Sequence, residues 1–60
     1  MGEISRKIVD EYRRAVEDGD YAVQAGILSS LLKSTLQGIE PTATIARETA
    51  EAILQVRAAA

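Results

Sequence analysis

The sequence predicts an all-α fold: three short antiparallel helices, at about 3–18, 20–37 and 42–58, in one domain covering residues 1–60. Three observations predict it. No stretch sustains the period-two alternation of a half-buried strand. Two sharp breaks, Asp18-Gly19-Asp20 and Gly38-Ile39-Glu40-Pro41, divide the chain into three segments of helical length. Connections this short join antiparallel neighbours.

The first segment is one-sided. At 100° per residue, Ile4, Ile8, Val9, Tyr12, Ala15 and Val16 fall within an arc of roughly 140°. Arg6, Lys7, Asp10, Glu11, Arg13, Arg14 and Glu17 take the other side. Glu3–Lys7 and Asp10–Arg14 stand at i,i+4 with the acid first, the favourable order. Gly19 suits the left-handed residue that ends such a helix.

The second segment begins after Asp20, a natural N-cap. From Tyr21 to Ile39 it carries a single charge, Lys33. Tyr21, Val23, Ala25, Ile27, Leu28, Leu31, Leu32 and Leu36 spread over an arc of roughly 220°, so this helix calls for cover on more than one side. The remaining stripe is small: Ala22, Gly26, Ser30 and Ser34 at i,i+4 spacing. It reads equally as a close-approach face for another helix and as the solvent edge.

The third segment starts near Pro41, which fits a first helical position, with Thr42 and Thr44 as competing caps. Ile45, Thr49, Ala52, Ile53 and Val56 form the expected inward stripe, with Ala46 and Ala50 at its edge. Arg47, Glu48, Glu51 and Gln55 face outward, and Leu54 falls among them.

Composition narrows the function. A 60-residue chain buries only ~60% of the surface its unfolded form exposes. Of its 28 apolar residues ten are alanine, so Ile, Leu and Val must supply the packing. Disulfides, a metal or a partner surface usually supplement so small a core. Without Cys or His neither a disulfide nor a zinc, haem, copper or iron–sulfur site is expected, and no cofactor is predicted. Partner surface remains. The net charge of −2 lacks the footprint of a nucleic-acid binder. The absence of a signal-peptide pattern, of an apolar span and of cysteine leads us to expect a cytoplasmic protein with no membrane segment.

Candidate chemistry is thin. A nucleophile triad needs a base titrating near neutrality, and there is no histidine. Ser29, Ser30 and Ser34 flank Lys33, but neighbours on a helix point about 100° apart, so they read as surface serines beside a solvated lysine. Glu17, Asp18 and Asp20 cluster at a turn without the spaced ligands of a calcium loop, and Asp20 is better used as a cap. Arg13-Arg14 is hemmed in by Asp10, Glu11 and Glu17. A DNA-reading third helix would be basic, whereas this one sets Arg47 and Arg57 against Glu48 and Glu51.

The run Ala15-Val16-Glu17-Asp18-Gly19-Asp20, the Ala- and Leu-rich helix after it, Gly38-Ile39-Glu40-Pro41 and Ile45-Ala46-Arg47-Glu48 together resemble a known pattern. It is that of the helical segment preceding the cobalamin-binding domain of corrinoid methyl-transfer proteins. The resemblance covers about residues 15–57 and rests on helix-boundary signals. The helix between the turns is about three residues longer here, which shifts the register of its face. The cobalamin-ligating His motif and its α/β domain are missing, so the resemblance implies a helical cap and carries over no cofactor-binding residue.

The sequence therefore leads us to expect a small non-catalytic interaction module, forming a helical bundle with a second copy or a partner helix. The expected contact residues are Tyr12, Tyr21, Ile27, Leu28, Leu31, Leu32, Leu36, Ile53 and Leu54, although each tyrosine reads more readily as core than as interface. The alternatives are a helical cap or regulatory fragment of a larger ligand-binding, corrinoid-like protein, and a small DNA-associated regulator.

Overall fold

The computed structural model describes residues 2–59, and among them the chain is three α-helices: α1 (Glu3–Asp18), α2 (Tyr21–Gln37) and α3 (Thr42–Ala59). The boundaries follow from local chemistry. Gly19 ends α1 at φ 69°, with its N–H donating to the Val16 carbonyl at 3.2 Å and the Asp20 N–H to the Ala15 carbonyl at 2.9 Å. That paired arrangement is a Schellman motif, which satisfies carbonyls the helix would otherwise leave open. Asp20 then caps α2, its carboxylate accepting the Val23 N–H at 3.1 Å. Gly38 ends α2 at φ 67°. The Glu40–Pro41 peptide is cis, and the Ile45 N–H donates to the Pro41 carbonyl at 3.0 Å, so Pro41 stands just before the first turn of α3 rather than within it.

The helices run up, down, up. Tyr12 and Val16 of α1 share a recess with Tyr21, Gln24 and Leu28 of α2, which sets those two helices antiparallel. Arg57 lies near Tyr21 and Arg47 near Thr35, so α3 reverses direction again. Gln24 adds a polar tie, its Nε2 donating to the Ala15 carbonyl at 3.2 Å.

The core is narrow. Val9, Tyr12, Leu31, Ala46 and Ile53 form its buried cluster, with Val16, Ile27, Leu28, Ala50, Ala52 and Val56 packed against it. Ser5, Ala15, Ala43 and Thr49 are also buried. The Thr49 hydroxyl donates to the Ile45 carbonyl at 2.7 Å. Among the described residues, no buried side-chain nitrogen or oxygen lacks a hydrogen-bond partner, as a low-dielectric interior requires.

Three details differ from the sequence expectation. The buried line of α1 is Ser5–Val9–Tyr12, at i,i+4,i+7, and it leaves Ile4 exposed. The buried face of α3 is turned toward Ala43 and Ala46, while Ile45, Ala52 and Val56 are half-buried. Alanine lets two backbones approach closely, so the tightest contact falls on the smallest side chains. Asp10 pairs with Arg13 at 3.4 Å in place of Arg14, whereas Glu3–Lys7 forms as expected at 4.0 Å.

Candidate interaction surface

Seventeen residues long, α2 places only Leu31 fully inside. Gln24, Ile27, Leu28, Ser34 and Thr35 are half-buried along an arc of roughly 120° that α1 and α3 cover. Immediately beside that arc lies an apolar stripe that no element covers. Tyr21 is 78% exposed, Leu32 61% and Leu36 77%. Leu54 of α3, 64% exposed, lies beside Leu32, and Ile39 in the turn that follows α2 is exposed as well. Two amphipathic helices with several alanines cannot wrap a 220° apolar arc, and the uncovered part is what remains.

The patch has relief. Between α2 and α3 a groove of about 370 Å³ is walled by Leu28, Leu31, Leu32, Thr35, Ala50 and Leu54. Arg47 and Glu51 form its polar rim. Arg47 is held there: one Nη donates to Glu40 Oε1 at 2.9 Å and to Thr44 Oγ1 at 3.3 Å. The Thr44 hydroxyl also donates to the Glu40 carboxylate. Those two hydrogen bonds, Thr44's first and Arg47's second, together with the Arg47 charge, hold the Glu40 carboxyl below its ordinary pKa. A larger recess, about 480 Å³ between α1 and α2, is lined by Ile8, Glu11, Val23, Gly26, Ile27 and Ser30 above Leu31. It presents less apolar surface, since Ile8 and Ile27 are half-buried and its most exposed large apolar residue, Val23, reaches only 36%.

The expected contact residues divide into three groups. Tyr12, Leu31 and Ile53 belong to the chain's own core and are corrected to that role, because each lies where two helices close over it. Ile27 and Leu28 are half-buried against that core. Tyr21, Leu32, Leu36 and Leu54 stand exposed. For the two tyrosines, the core reading holds for Tyr12 and fails for Tyr21. The sequence reading assigned Ile39 to the turn, and it lies there, between the Gly38 that ends α2 and the start of α3, with its side chain exposed.

The small-residue stripe Ala22–Gly26–Ser30 is open, and a Cβ added at Gly26 would meet nothing within 4 Å. Among the described residues no group of three or more His, Cys, Asp or Glu side chains is placed to hold a metal ion, and no helix is long and apolar enough to cross a membrane. No family, curated protein or solved structure matches this chain, and nothing in the comparisons bears on the corrinoid resemblance of residues 15–57.

Proposed function

We propose that the chain is a non-catalytic protein–protein interaction module that self-associates through the uncovered face of α2. The observation that carries this reading is the cluster of Leu32, Leu36 and Leu54, with Tyr21 farther along the same stripe of α2, each more than 60% exposed. Scattered exposed leucines are ordinary, but a contiguous apolar patch with a groove at its centre marks an interaction site. The total surface agrees. The chain exposes 4261 Å², whereas a compact monomer of its mass exposes about 3,800 Å². The excess is more than half of the ~800 Å² that a standard interface takes from each partner.

Sedimentation velocity over a concentration series tests the reading. The mass should rise with concentration from 6.4 kDa toward twice that value. Leu32→Glu combined with Leu36→Glu should hold the chain at monomer mass with its helical circular dichroism retained, because both side chains are solvent-exposed in the single chain. A folded wild-type monomer up to millimolar concentration, or a double variant that still associates, would sink the proposal.

A further inference from the structure

We draw no further inference here: the strongest candidate, the apolar groove between α2 and α3 walled by Leu28, Leu32 and Leu54, belongs to the surface already described, and its rim sets Arg47 against Glu51, so nothing in the structure beyond that reading shows what covers it.

Discussion

At the scale of single residues, position relative to the core decides what a side chain is for. Leu31 and Leu32 are adjacent in sequence, yet one lies against Tyr12 and Ile53 and the other is solvent-exposed. A polar surface counterpart is Glu40, whose carboxylate accepts from Thr44 and Arg47 across the start of α3. Both bonds favour the ionised form, so the folded-state pKa lies below the ordinary value of 4.5. A depressed carboxyl pKa contributes stability above the unfolded value and loses it as pH falls through the folded one. Being exposed, the group contributes little to overall stability. An NMR titration of the Glu40 side chain should give a midpoint below 4.5, and Thr44→Val should move that midpoint back up. A midpoint unmoved in the variant would remove Thr44 as the leading cause.

At the scale of the helix, two glycines with empty surroundings separate backbone conformation from packing. Neither Gly19 nor Gly26 has a heavy atom within 4 Å of an added Cβ. Gly19 sits at φ 69°, where an L-residue is strained, so Gly19→Ala should destabilise by about 1–2 kcal/mol. Gly26 lies inside α2 without positive φ, so Gly26→Ala should stabilise by about 1 kcal/mol through helix propensity. Urea unfolding of both variants checks the pair; effects of the same sign would contradict the assignment. The same local chemistry explains what was legible in the sequence. Asp20, Gly19 and Gly38 act through their own backbone and nearest neighbours, so α1 and α2 could be bounded without tertiary information. The buried face of α3 could not be read as directly. Thr49 and Ile53 are buried as expected, but hydropathy also weights Ile45 and Val56, while the contact closes on Ala43 and Ala46 because they are small enough to admit it. Tyr12 and Tyr21 show the same limit, since both lie on apolar arcs and only the packing of three helices puts one inside and the other out.

At the scale of the whole molecule, stability and association should be one equilibrium. The chain's own buried cluster holds five side chains, one of them alanine, and much of its aliphatic surface stays on α2. A contact that exists only between folded copies stabilises the folded state by mass action. If the chain is dimeric across the range examined, a hundredfold rise in concentration adds about 1.4 kcal/mol per protomer. For a domain of this size that corresponds to a Tm increase of roughly 5–10 °C. Leu32→Glu with Leu36→Glu should abolish the concentration dependence and leave a single, lower Tm. Leu31→Glu should behave differently: it places an unpaired charge among Tyr12 and Ile53, so helicity itself should collapse at every concentration. The contrast between neighbouring positions matters because loss of association alone could follow from unfolding. A wild-type Tm that stays constant over that hundredfold range would mean that the exposed stripe contributes nothing between copies. The narrow core of Val9, Tyr12, Leu31, Ala46 and Ile53 would then sustain the fold by itself.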